Sequence, residues 1–205
     1  MTTEGERARA GIDLYWIPLG AGAGGRCVRG CGHLYEGLAA IQQHRRRADL
    51  YHSALMVDLD DHSYAIEMTP VWVTGVSDRG VVSEDTVGFP SWGRWSLFRY
   101  EVRCWRDGTI PDIDSAVEGP YRVSTGRSRA RQVLELVPTF PTATWGRDEL
   151  HTGDMWNSNT LTSWLLARSG HDMAAIRPPD RGRAPGWQAG LSHAGGTARQ
   201  PSLDP

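Results

Sequence analysis

Apolar, β-branched and aromatic residues, broken by single polar positions, concentrate over 12–17, 50–59, 64–69 and 97–105, and each of these stretches predicts a strand. Pro18 closes the first, and Asp107-Gly108 ends the last. Two other stretches carry helical spacing. Ala130, Val133, Leu134 and Val137 form an apolar stripe with Ser124 as a cap before it and Pro138 as its stop, while Leu161, Trp164 and Leu165 line one face of a helix that Gly170 ends. Residues 33–47 read as a further helix, and 20–32 and 75–93 as glycine-containing loops.

The second and third strands are separated by Asp60-Asp61-His62-Ser63, which has the composition of a turn. A loop of two residues (Asp60, Asp61) or of four gives the same parity: Ala65, Glu67 and Thr69 share a face with His52, Ala54 and Met56. With the shorter loop His52 faces Thr69, and Glu67 is its diagonal neighbour at roughly 7–8 Å between α-carbons. A histidine in an apolar strand is ordinarily a hydrogen-bonded core residue. Glutamate between Ile66 and Met68 is less expected, because strands disfavour it and a buried carboxylate needs a partner.

Asn157-Ser158-Asn159-Thr160 puts polar side chains at the start of the last helix, with Asn157 or Ser158 as its cap. A hydroxyl there can also be a nucleophile, since free backbone N–H groups and the positive end of the helix dipole favour negative charge developing on an attacked carbonyl oxygen. Serine needs a base for this, and the base an orienting partner. Ser158, His52 and Glu67 supply nucleophile, base and orienter, with Asn157, Asn159 and Thr160 as oxyanion or substrate contacts.

A strand with His52-Ser53, a returning strand with Tyr64 and Glu67, and a late Asn-Ser-Asn-Thr helix start together resemble a bacterial family of domains of unknown function. That family resembles a distant branch of the circularly permuted papain-like proteins, which include NlpC-, LRAT- and PPPDE-type groups. In those relatives the histidine strand comes first and a cysteine nucleophile comes late, at a helix N-terminus, often as Asn-Cys-Asn. The resemblance runs from Tyr51 to Gly170, with Tyr100-Glu101-Val102-Arg103 as a middle strand and Pro185-Gly186-Trp187 as a docking patch. It implies a permuted papain-like fold and hydrolysis or acyl transfer on an amide, ester or thioester of a small molecule or peptide. The chain departs from the pattern at Ser158, where the relatives have cysteine, and at Leu161, where they have an aromatic residue. A serine demands more of its base than a thiolate does, so the alternative is an inactive domain that binds a peptide, glycan or small metabolite. Cys27 and Cys31 lie in an early loop and Cys104 inside a strand, so none replaces the missing thiol.

Composition sets the remaining bounds. With 40 % hydrophobic residues and nine tryptophans, the chain can bury a full core, and we expect an α+β domain over 12–176, a small antiparallel sheet packed on helices. Residues 1–11 read as a flexible N-terminus and 177–205, rich in Pro, Gly and Arg, as a mostly disordered tail. A net charge of −2 gives no electrostatic reason to expect nucleic acid or an anionic membrane as partner. No stretch has the length and apolarity of a membrane span or the apolar core of a signal peptide, and three cysteines fit reduced thiols, so a cytoplasmic location is expected. Gly20-Ala21-Gly22-Ala23-Gly24-Gly25, with Asp49 downstream, offers dinucleotide binding as a third reading, against which stands the antiparallel hairpin that follows. Cys27, Cys31 and His33 supply three metal ligands with no second cluster to complete four, so neither metal nor cofactor is expected.

Overall fold

In Gly11–Pro18 (β1), Ile12, Leu14 and Trp16 alternate with Asp13, Tyr15 and Ile17, and the strand buries residues of both sets. The structure, a computed structural model, describes residues 10–19, 21, 48–70, 80–87, 99–179 and 182–196. The expected helix over 33–47, nearly all of the loop over 20–32 and residues 1–9 lie outside these. The other strands are Asp49–Leu59 (β2), His62–Pro70 (β3), Val81–Thr86 (β4), Arg99–Arg106 (β5), Tyr121–Ser124 (β6) and Gly182–Arg183 (β7). They form a sheet ordered β4-β5-β3-β2-β1-β6, antiparallel along that path, with β7 parallel beside β2. Leu59 pairs with His62, which makes Asp60-Asp61 a two-residue hairpin loop and gives the parity expected from the sequence.

Three helices among the described residues accompany the sheet: Arg127–Leu136 (α1), Ser158–Arg168 (α2) and Trp187–Gly196 (α3). They share one core with Ile12, Leu14 and Trp16 of β1 and with Tyr51, Leu55 and Val57 of β2. The opposite face of the sheet carries a second cluster, in which Ile17, Ala54 and Ala65 meet Ile110. The fold is α+β. The stripe Ala130, Val133 and Val137 is buried as its spacing predicts, and Pro138 falls in the 3-10 turn that ends the helix. Ser124 does not cap it; this residue ends β6, its hydroxyl accepts the Gly126 N–H at 3.0 Å, and Gly126 is the cap.

Two expectations are corrected. Within 75–93, Val81–Thr86 is an edge strand on β5, and Glu84 forms an ion pair with Arg99 of that neighbour. Its polar composition suits a sheet edge, where charge discourages further pairing. Part of the tail is ordered as well. Ala189 and Ala194 are buried, Trp187 stands 5.0 Å from Trp16 between ring centroids, and a Cβ on Gly190 would collide with Ser163 Oγ and Thr160 O of α2. Small residues give α3 its close approach to α2, so a segment that looked too poor in large apolar residues to fold packs through proximity instead.

The feature that positions the candidate site is a fork. The β2–β3 ladder stops at Leu55↔Ile66, although β2 begins at Asp49 and β3 runs on to Pro70. Beyond the junction β2 stays with β1 and β7, and β3 stays with β5. Strand carbonyls that leave a ladder must find other partners. The start of α2 supplies them: Asn159 Nδ2 donates to Tyr51 O at 2.9 Å, and Thr162 Oγ1 makes a longer bond to Ser53 O at 3.4 Å.

Candidate functional site

Asn157 has extended φ and ψ and is the N-cap of α2. Its side chain accepts the Asn159 N–H at 2.9 Å, and its own N–H donates to Thr160 Oγ1 at 3.0 Å, a reciprocal cap that leaves Ser158 as the first helical residue. The remaining polar atoms here point at other parts of the chain. Asn159 accepts from Ser53 Oγ at 2.8 Å, and its amide donates to Pro185 O at 2.8 Å in addition to Tyr51 O. Asn157 Nδ2 reaches the same Pro185 carbonyl at 2.8 Å. The Thr160 hydroxyl lies 2.9 Å from Gly186 O and 3.1 Å from Met155 O, and either can accept its proton. The three residues expected to stabilise an oxyanion or hold substrate therefore hold the protein's own backbone.

This also explains why α2 is buried continuously from Ser158 to Leu166 and not along one stripe. Its apolar positions face the core, while Asn159 and Thr162 bond to the fork and Asn159, Thr160 and Ser163 to residues 185–187.

His52 and Glu67 leave the sheet together on its second face, as parity requires. Ser53, the next residue in β2, bonds to Asn159, so His52 projects away from the face on which the body of α2 packs. Its ring is half-buried and makes no hydrogen bond to another described residue; burial alone pushes its pKa down from 6.5 to about 4. Glu67 is committed elsewhere. Arg103 of β5, directly opposite in the ladder, donates from Nη1 to Glu67 Oε1 at 2.9 Å and from Nε to Glu101 Oε2 at 2.8 Å. Burial raises the Glu67 pKa, and the Arg103 charge works against that rise. Ser158 is 3 % exposed. Among the described residues no hydrogen bond joins Ser158, His52 and Glu67 to one another; the orienting partner given to His52 is held by an arginine.

The sequence reading missed Ser53, Glu101, Arg103 and Asp154. Glu101 and Arg103 alternate with the apolar Tyr100 and Val102, so a charged face on β5 was there to be seen. That it lies against Glu67 depends on β3–β5 pairing across a 28-residue gap between strand ends, which nothing local specifies.

The His52 environment has a measurable consequence. A histidine that is neutral in the folded protein down to about pH 4 but takes up a proton near 6.5 when unfolded contributes fully above pH 6.5 and progressively less as pH falls. We expect about 2–3 kcal/mol of stability to be lost between these values. In His52→Gln, urea unfolding measured across this range gives a flatter pH dependence; an unchanged slope would assign the acid sensitivity to other groups.

A surface cleft of about 360 Å³ lies beside the start of α2, lined by Asp154, Arg183, Pro185, Trp187 and Gln188 among others. Both Asp154 oxygens are engaged, Oδ2 by the Gly186 N–H at 2.7 Å and Oδ1 by the Met155 N–H at 2.8 Å. Cys104 is a free thiol whose pKa burial pushes up to about 11, the reverse of nucleophilic activation. No group of three or more His, Cys, Asp or Glu among the described residues is placed to hold a metal, and no described helix is long and apolar enough to cross a membrane. Cys27, Cys31 and all of Gly20-Ala21-Gly22-Ala23-Gly24-Gly25 except Ala21 lie outside the described residues. The strands flanking that glycine run, β1 and β2, pair antiparallel, whereas a dinucleotide-binding unit needs them parallel.

No family model, no curated protein and no solved structure matches this chain.

Proposed function

We propose that this is a ligand-binding domain of permuted papain-like arrangement, which takes a peptide, glycan or small metabolite in the cleft beside the start of α2 without hydrolysing it. The observation that carries the reading is the Glu67–Arg103 pair. It takes the carboxylate away from His52, while the polar side chains around a deeply buried Ser158 are spent on the chain's own carbonyls. The papain-like comparison rests on the order of elements, with a histidine strand first and a polar helix start late. A cytoplasmic location accords with the free Cys104 thiol.

The reading is tested with a serine-reactive fluorophosphonate probe. Wild type and Ser158→Ala are expected to label equally and weakly, and Ser158→Cys is expected to gain no esterase or amidase turnover. Strong labelling that disappears in both Ser158→Ala and His52→Gln would instead establish a serine hydrolase or acyltransferase. A thermal-shift screen of short peptides, oligosaccharides and metabolites then identifies the ligand, whose stabilising effect should weaken in Arg183→Ala.

A further inference from the structure

Residues 185–187 are held through their main chain. Pro185 O accepts from both Asn157 Nδ2 and Asn159 Nδ2 at 2.8 Å, Gly186 N donates to Asp154 Oδ2 at 2.7 Å, Gly186 O lies 2.9 Å from the Thr160 hydroxyl, and Trp187 O accepts from Ser163 Oγ at 2.8 Å. Four side chains from one stretch of chain thus contact every carbonyl of three consecutive residues, and a fifth, Asp154, accepts the N–H of the middle one. This is the chemistry by which peptide-binding proteins recognise a backbone whatever its side chains. One position is selective. Gly186 has φ of 90°, and a Cβ there would collide with the Asn157 amide. The next residue is an aromatic seated on Trp16.

We propose that the start of α2 is a recognition groove for an extended peptide with glycine followed by an aromatic residue, and that the chain fills this groove with its own residues 185–187. The groove's hydrogen-bonding groups all come from side chains of 154–163, none of them part of the segment that fills it. Among the described residues the segment's strand pairing with the sheet is short, Asp49↔Gly182 and Leu50↔Arg183, and its other contact with a strand is the Trp187 ring against Trp16 of β1. A peptide in trans therefore competes with a tethered copy of itself, and the tether's high effective concentration keeps the groove closed to weak competitors. The inference holds whether or not Ser158 is catalytic.

The test uses the full chain and a fluorescein-labelled peptide with the sequence of residues 182–196. In Gly186→Ala the tethered segment no longer fits. This variant is expected to bind the labelled peptide at least tenfold more tightly than wild type does, as read by fluorescence anisotropy, and a peptide with alanine at the Gly186 position is expected not to compete. A folded Gly186→Ala protein that ignores the peptide, or equal binding of the alanine peptide, would overturn the proposal. If the variant does not fold, hydrogen exchange on wild type decides. Amides of 186–194 are expected to exchange together and at least tenfold faster than those of the β1–β2 ladder. Exchange at the same rate as that ladder, showing that the segment leaves only when the whole protein unfolds, would count equally against an exchangeable occupant.

Discussion

Arg103→Met is expected to destabilise the protein by about 3–5 kcal/mol at neutral pH, because it removes the guanidinium that bonds two buried carboxylates, Glu67 and Glu101. Glu67 is 7 % exposed and Glu101 1 %, and each accepts a bond from the same guanidinium. A methionine of similar length fills the space and neutralises nothing. The pH dependence identifies the cause. With Arg103 gone, the folded-state pKa of Glu67 rises further above its unfolded value, so the variant is least stable at high pH and recovers as the pH falls and the carboxyl takes up a proton. Urea unfolding at pH 8 and pH 5 should show the gap between variant and wild type narrowing at the lower pH. The triple variant Glu67→Gln, Glu101→Gln, Arg103→Met should regain much of the loss, since a missing ion pair costs less than an uncompensated charge. A constant deficit at both pH values would mean that the arginine contributes by packing alone.

Asn159→Ala is expected to cost about 3–4 kcal/mol, whereas Ser158→Ala, one residue away, should cost about 1 kcal/mol or less. Both side chains are almost fully buried, so burial does not separate them. What differs is their work. Asn159 is bonded to Ser53, Tyr51 and Pro185 at 2.8–2.9 Å, and its loss strands groups in the fork that water does not readily reach. Asn159→Asp is the sharper probe: a carboxylate would face the Tyr51 and Pro185 carbonyl oxygens with no hydrogen to offer, so this nearly isosteric change should destabilise at least as much as alanine. Comparable losses at Ser158 and Asn159 in guanidinium unfolding would contradict the wedge role of the asparagine.

Much of the local structure was legible in the sequence because it depends on short-range rules. Period-two alternation and a two-residue loop place His52 and Glu67 on one face whatever the rest of the chain does, and the start of α2 announces itself through Asn157 and Thr160. The site was less legible because it depends on what crosses the sheet. Strand parity says that two side chains share a face; it does not say which face receives the helix, nor that Arg103 will stand opposite Glu67. The fork was hidden for the same reason. Residues 49–54 have the composition of an ordinary ladder strand, and only Asn159 and Thr162, more than a hundred positions later, reveal that side chains replace a neighbouring strand there. The tail misled through composition. Proline, glycine and arginine suggest disorder when counted, but glycine also permits close helix packing, as where Gly190 meets Ser163 and Thr160.

The fork also sets an order on how this protein is made. Tyr51 and Asn159 are 108 positions apart, and Ser53 and Asn159 are 106 apart. The β2–β3 hairpin closes early through near neighbours, yet the inner edge of β2 keeps unpaired carbonyls until most of the chain has left the ribosome. Contacts of such long sequence separation form slowly, and an open strand edge is where aggregation begins. Truncated or stalled chains ending before residue 157 should therefore be the chief source of insoluble material during synthesis, because they carry β2 with its inner edge open and nothing downstream to close it.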